Sequence, residues 1–204
     1  MKKNTKKIVT AAGIAAGTAA VASLYAYVTI KALIDTALDR EMPKVMEKAD
    51  KRISGEKSSD EFTNRMESAS ESLAVQPNET VEIIAHDGEK LVGHYFPCEK
   101  PERVIIAFHG WRSSWHRDFG MISDFWYKNN CSVLYVEQRG QNNSSGEYMG
   151  FGLTERFDCL DWLNWEIERC GSDIPVYLAG VSMGATTVLM AAGLQLPPNV
   201  HGIM

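Results

Sequence analysis

The chain has 204 residues, 45% hydrophobic and 23% charged, with a net charge of −5. That length holds one domain of ordinary size plus a tail. The composition is that of a globular protein rather than a disordered one, and the acidic balance excludes an electrostatic nucleic-acid surface.

The chain opens on Lys2, Lys3, Lys6 and Lys7, followed by a run without charge from Ile8 to Ile30. Those 23 residues make a helix of about 35 Å, against a hydrocarbon core of about 30 Å. Lysines ahead of such a run favour an amino terminus left in the cytoplasm and a domain sent across, and they fit membrane insertion better than a buried helix of a soluble core. Residues 1–7 thus read as a cytoplasmic basic tail and 8–30 as a transmembrane helix or signal anchor. Ala20-Val21-Ala22 also suits a signal peptidase, which would give a secreted domain. The apolar run continues past it through Leu24, Tyr25, Tyr27, Val28 and Ile30, which favours the anchor. Gly13-Ile14-Ala15-Ala16-Gly17 has the spacing of packed helices, but in an Ala/Gly-rich run this says little about dimerisation.

Residues 31–79 turn polar and read as a helical stalk or linker. Leu33, Ile34, Ala37 and Leu38 continue the helical pattern, Pro43 interrupts it, and 54–60 reads as a loop. Phe62, Met66, Ala69 and Leu73 are spaced for a helix over 61–73 that packs on the domain.

Residues 80–204 carry the chemistry. Strands are expected over 80–85 and 90–96, joined at Asp87-Gly88, a hairpin signal. The segments 103–108 and 132–136, with continuous apolar runs from Val104 and Val133, read as strands covered on both faces, with helices over 117–128 and 154–170 and Thr154 as a cap. A strand from Val176, a turn at Gly180-Val181-Ser182-Met183-Gly184, a helix over 186–194 and the start of a strand at 200–204 complete the series. Alternating strands and helices predict an α/β class: a mostly parallel sheet with helices on both faces. All five tryptophans, Trp111, Trp115, Trp126, Trp162 and Trp165, fall in this half and place the core there. Cys98, Cys131, Cys159 and Cys170 form no Cys-x-x-Cys pair and no zinc spacing with histidine. They read as free, buried thiols, and neither a metal nor a cofactor is expected.

His109-Gly110-Trp111, Gln138-Arg139-Gly140 with Ser144 and Gly146 behind it, Gly152-Leu153-Thr154-Glu155-Arg156-Phe157-Asp158, and Gly180-Val181-Ser182-Met183-Gly184-Ala185 stand in this order along the chain. In order and spacing they resemble the α/β-hydrolase family. The nearest branch is that of bacterial membrane-anchored or secreted hydrolases similar to serine aminopeptidases, esterases and acyl-thioesterases. The resemblance covers about 81–204 and implies the amino-terminal portion of an α/β-hydrolase fold. It makes Ser182 the nucleophile, flanked by Gly180 and Gly184 because side chains would collide in so tight a turn. It makes the backbone N–H groups of Met183 and Trp111 the oxyanion donors, with the Trp111 indole lining an acyl pocket. His109 and Gly110 become supporting residues of the oxyanion loop, and Arg139 and Glu155 brace loops. The activity implied is hydrolysis of an ester, thioester or peptide carbonyl through an acyl-serine. The partners implied are a small-molecule or peptide acyl substrate, a membrane reached through residues 8–30, and no nucleic acid.

The remaining histidines are weaker candidates for a base. His116 lies near the predicted mouth, either touching substrate or solvated on a loop; His86 and His94 are expected at the surface; His201 belongs to the next strand. Asp158 and Asp161 belong to the helix after the fourth strand and are expected to cap or pair rather than orient a histidine. Two departures from the family stand out. Glu137-Gln138-Arg139-Gly140-Gln141-Asn142 replaces the usual acidic-x-Arg-Gly-His-Gly. In addition, the family's acid and histidine fall beyond Met204, so the 204 residues are expected to be a fragment, inactive by itself. The alternative is a non-catalytic binding module on the same scaffold.

Overall fold

A computed structural model of the chain describes residues 2–41 and 60–204, with side chains from residue 17 onward. The expected break at Pro43 and the loop over 54–59 lie outside the described residues.

Helix α1 runs Lys2–Leu38, eight residues past the uncharged run. Its last turns are held by local bonds: Lys31 pairs with Asp35 at 2.6 Å, and the hydroxyls of Thr29 and Thr36 donate to carbonyls one turn back. The stretch Gly17–Leu38 has a mean hydropathy of 1.4 and none of it is buried, so by length and composition it can cross a membrane.

Helix α2 (Glu61–Ala74) precedes strands β1 (Glu79–Ile84), β2 (Lys90–Phe96) and β3 (Arg103–Phe108). Then follow α3 (Trp115–Lys128), β4 (Cys131–Glu137), α4 (Glu155–Cys170), β5 (Val176–Gly180), α5 (Met183–Ala191) and β6 (Val200–Ile203). The strand order across the sheet is β1-β2-β4-β3-β5-β6. β4, β3, β5 and β6 pair in parallel, while β1 with β2 and β2 with β4 are antiparallel. The sheet is therefore mixed, parallel in its main body. The Asp87-Gly88 turn is too short for the crossover that parallel neighbours require, so β1 and β2 are antiparallel; the short 97–102 connection reverses the chain into β3, and β4, parallel to β3, therefore runs against β2.

Alternation along the central strands sorts the core into two layers. Val104, Ile106, Phe108, Leu134, Val136, Val176 and Leu178 pack with Trp162, Leu163 and Val188 of α4 and α5 on one face. Ile105, Ala107, Val133, Tyr135 and Ala179 pack with Leu73, Trp115, Phe119 and Trp126 of α2 and α3 on the other. α2 crosses α3 so closely that a Cβ on Gly120 would lie 2.7 Å from the backbone of Ala69 and Ser70. Helix α5 begins three residues earlier than the apolar pattern predicts, at Met183, because the serine turn itself supplies the helix entry.

Candidate active site

β5 ends at Gly180 and α5 starts at Met183, which leaves two residues to reverse the chain. Ser182 takes the strain, with φ 52 and ψ −113. Non-glycine residues hold such a conformation only where the surroundings impose it. The two glycines explain how. A Cβ on Gly184 would fall on the carbonyl of Phe108 in β3, 2.5 Å from its carbon and 2.8 Å from the His109 oxygen. A Cβ on Gly180 would lie 2.5 Å from the Ala185 nitrogen. The helix thus starts in backbone contact with the sheet, and Val181 N–H donates to the Phe108 carbonyl at 3.1 Å. The Ser182 side chain is exposed at the tip. The first N–H groups of α5, Met183 foremost, have no acceptor within the helix and mark an anion-stabilising end.

The loop after β3 lies against this turn. A Cβ on Gly110 would meet the Ser182 Cβ at 3.3 Å and the Val181 oxygen at 3.4 Å, so glycine is what allows the approach. Gly110 N–H donates to Asp118 Oδ2 at 2.6 Å, the Ser113 hydroxyl to Asp118 Oδ1 at 2.6 Å, and Arg112 N–H to Gln141 Oε1 at 2.6 Å. The two N–H groups flanking Trp111 are thereby fixed by side chains. The Trp111 N–H has no backbone or side-chain acceptor among the described residues. Gln138 and Gln141, which hold this loop, lie in the 137–142 stretch already singled out in the sequence, whereas Asp118, half-buried in the first turn of α3, carries no motif of its own. Where the chain departs from the expected pattern, at 141–142, both side chains hold the loop after β3: Gln141 takes the Arg112 N–H, and Asn142 donates to the Ser113 carbonyl at 3.0 Å.

His109 sits fully buried beneath the loop. Its Nδ1 faces the Gly110 carbonyl at 2.8 Å, and its Nε2 accepts from Gln138 N–H and Asn142 Nδ2 at 3.2 Å. Burial pushes its pKa below the usual range. A neutral ring held at both nitrogens is a brace. The Gln138 amide also donates to the His109 carbonyl and accepts from the Thr187 hydroxyl at 2.7 Å, which ties β3, β4 and α5 together under the serine.

The remaining histidines are engaged away from Ser182. His116 lies in α3, neither in a solvated loop nor free for substrate: Ser70 and Ser114 bond its two nitrogens at 2.9 and 3.0 Å. His94, expected at the surface, is half-buried. Because β2 pairs with β4 under α3, its ring stacks 4.4 Å from Trp115 and meets Glu137 at 2.8 Å. Burial alone would raise Glu137, but His94 and Asn143 hold its pKa below the usual value. His86 is exposed and meets Asp161 at 2.9 Å. His201 lies on β6 with its ring 6.4 Å from Tyr177. Among the described residues none hydrogen-bonds to the Ser182 hydroxyl.

Arg139 is buried and bridges two elements, meeting Asp158 of α4 at 2.5 and 3.0 Å and Asp87 of the hairpin at 2.5 and 3.2 Å. It lowers the Asp87 pKa; for Asp158, burial pushes upward and Arg139 pulls back. Asp158, His86 and Asp161 converge within 4.8 Å, but the guanidinium already occupies Asp158 and leaves the group an ion-pair network. Glu155 accepts from Gly150 N–H at 2.5 Å and Gly152 N–H at 2.8 Å. It thus braces the loop ahead of α4, as expected, while the Thr154 hydroxyl, expected to cap the helix, makes no cap bond. The Trp111 indole, expected in an acyl pocket, instead donates to the Ala37 carbonyl of α1 at 3.0 Å. The four cysteines are free thiols, with Cys131 and Cys159 buried and Cys98 and Cys170 half-buried.

No family model matches the sequence, and no curated protein does either. Solved structures do match. An esterase of Pyrococcus furiosus is 26% identical with a TM-score of 0.54, covering 65% of this chain and 50% of its own. An α/β hydrolase from a Penicillium species is 21% identical with a TM-score of 0.54, covering 63% and 45%. A serine hydrolase without a lid from Xanthomonas campestris is 19% identical with a TM-score of 0.50, covering 58% and 56%. The chain spans about half the length of these structures. It has the fold of the α/β-hydrolase family.

Proposed function

We propose that this α/β-hydrolase-fold chain carries the nucleophile and the oxyanion donors of a serine hydrolase from the membrane-anchored or secreted branch. Its substrates are esters, thioesters or peptides. The reading rests on one observation above all: the strained, exposed Ser182 stands on a turn against which the Gly110-Trp111 loop is packed, and the N–H groups of Trp111 and Met183 have no acceptor among the described residues. In such a reaction Ser182 Oγ attacks the carbonyl carbon while its proton passes to a base. The two N–H groups stabilise the oxyanion. The alcohol, thiol or amine leaves with that proton, and water then cleaves the acyl-serine. The base is not assigned to any residue of this chain. The apolar helix α1 and the lysines before it support an anchored, extracytoplasmic domain. Protease added outside spheroplasts should digest the domain, and full protection would reverse the topology.

Fluorophosphonate treatment of the protein in its native membranes tests the chemistry. An adduct on Ser182, absent from Ser182→Ala, is expected; an unlabelled wild-type protein sinks the reading. A second reading, a binding module on a hydrolase scaffold, draws on the lack of a hydrogen-bonded histidine at Ser182 among the described residues. It predicts a folded protein that stays unlabelled.

A further inference from the structure

The end of α1 is built into the oxyanion loop. A helix leaves its last carbonyls unpaired, and here the catalytic half takes them. Trp111 Nε1 donates to the Ala37 carbonyl at 3.0 Å, and Met149 N–H donates to the Leu38 carbonyl at 2.7 Å. The Arg112 guanidinium donates to the carbonyls of Asp39 at 2.7 Å, Arg40 at 3.2 Å and Thr36 at 3.3 Å, a cation where the helix dipole favours one. Arg40 answers in the other direction, donating to the Ser144 carbonyl at 2.6 Å and the Asn142 carbonyl at 2.7 Å. The apolar helix and the site are therefore joined with no spacer between them.

Ala37 lies seven residues beyond Ile30, the end of the uncharged run. At ~1.5 Å per residue that is about 10 Å along the axis, while the headgroup zone is about 5–7 Å deep on each side. The oxyanion loop would thus be fixed beside the headgroups. The rim next to the helix end suits that place. Tyr148, Phe151 and Leu153 of the loop after β4 are exposed, as is Leu189 of α5. Gly152 packs against Met190 and Thr186 of α5, so this loop and the nucleophile's helix share one edge. A cavity of about 470 Å³ opens between helix end and loop, lined by Leu38, Tyr148, Met149 and Leu153 together with the charged Glu89, Arg139 and Glu147. Exposed apolar side chains clustered beside an apolar helix mark a lipid-facing surface.

We infer that α1 is a working part of the site, holding the oxyanion loop at the bilayer surface, and that the substrate is an acyl ester carried by a membrane lipid. The inference rests on the reading of α1 as a span and of Ser182 as the nucleophile.

The test inserts seven helical residues between Ile30 and Lys31. Two turns lift the domain by about 10 Å and leave the clamp intact. The protein is compared in phosphatidylcholine vesicles with and without the insertion, using a fluorogenic phospholipid ester in the bilayer and a soluble short-chain aryl ester. At least a tenfold loss on the lipid ester with less than a twofold change on the soluble one is expected; equal rates on both overturn the inference. A nitroxide at Leu153→Cys, with the unsubstituted chain as control for native thiols, gives a readout free of activity. Its relaxation should respond to membrane-dissolved oxygen more than to an aqueous nickel chelate, and the insertion should reverse the preference. A water-facing label before insertion overturns the inference whatever the enzyme does. A lipid-facing label on a protein that fluorophosphonate leaves unmodified supports the placement and removes the hydrolase reading instead.

Discussion

Gly184→Ala isolates the contact on which the serine turn depends. The added methyl would fall on the Phe108 carbonyl, 2.5 Å from its carbon and 2.8 Å from the His109 oxygen. Both are backbone atoms of the central strand, so neither can rotate away. Helix α5 must instead move by roughly an ångström to restore ordinary contact. Overpacking costs about 1–3 kcal/mol where side chains can adjust, and a clash between rigid backbones belongs at the upper end, about 3 kcal/mol. For a chain of this size each kcal/mol lowers Tm by about 2–4 °C, which gives a drop of about 6–12 °C. Intrinsic fluorescence of the detergent-solubilised chain reads this cleanly, because all five tryptophans lie between Trp111 and Trp165 and none in α1. Gly193→Ala is the control. It sits exposed just past the carboxyl-terminal end of α5, its nearest atom would be the Met190 oxygen at 3.3 Å, and a shift under about 0.5 kcal/mol is expected. A Gly184→Ala chain that melts within about 2 °C of the parent would refute the account of the turn.

Arg139→Met leaves Asp158 buried without its partner and should cost about 3–5 kcal/mol; adding Asp158→Leu should recover much of that, and chemical denaturation of the three chains measures it. The buried His109 has a pKa below the ordinary 6.5, so the unfolded chain binds a proton that the folded one refuses. Its contribution is whole above about pH 6.5 and is lost as the pH falls below that. Thermal melts between pH 7.5 and 5.5 should show a shallower slope in His109→Gln, and equal slopes would count against a neutral buried ring. The Cys159 thiol is fully buried, and burial pushes its pKa to about 12. Maleimide at pH 8 should leave it unmodified in the folded chain and label it in denaturant, as mass spectrometry of the peptides would reveal.

Much of the fold was legible because periodicity reports burial directly. The runs at 104–108 and 133–136 are covered on both faces and carry no charged residue. The turn at Gly180 to Gly184 was legible because glycine spacing encodes a backbone approach that only a missing Cβ permits. The antiparallel placement of β2 against β4 was not, and with it went the partial burial of His94. Pairing joins Tyr95 to Leu134 across the sheet, and no local pattern specifies which strand a hairpin edge will meet. That Thr154 makes no cap bond escaped for a similar reason, since its hydroxyl turns to Glu155 where the 150–152 loop folds back.

The sequence alone determined the nature of the parts: a lysine-flanked apolar helix, an alternation of strands and helices, and a serine on a glycine-framed turn. Each follows from side-chain size, polarity and spacing over a few residues. Tertiary structure alone decided how they meet. It set Gly110 against Ser182, placed Gln141 and Asp118 on either side of the Trp111 N–H, and turned the Trp111 indole toward the Ala37 carbonyl 74 positions earlier. Those contacts satisfy backbone groups of one segment with side chains of another. Such pairing is fixed by the packing of the whole sheet, which no short stretch of sequence contains.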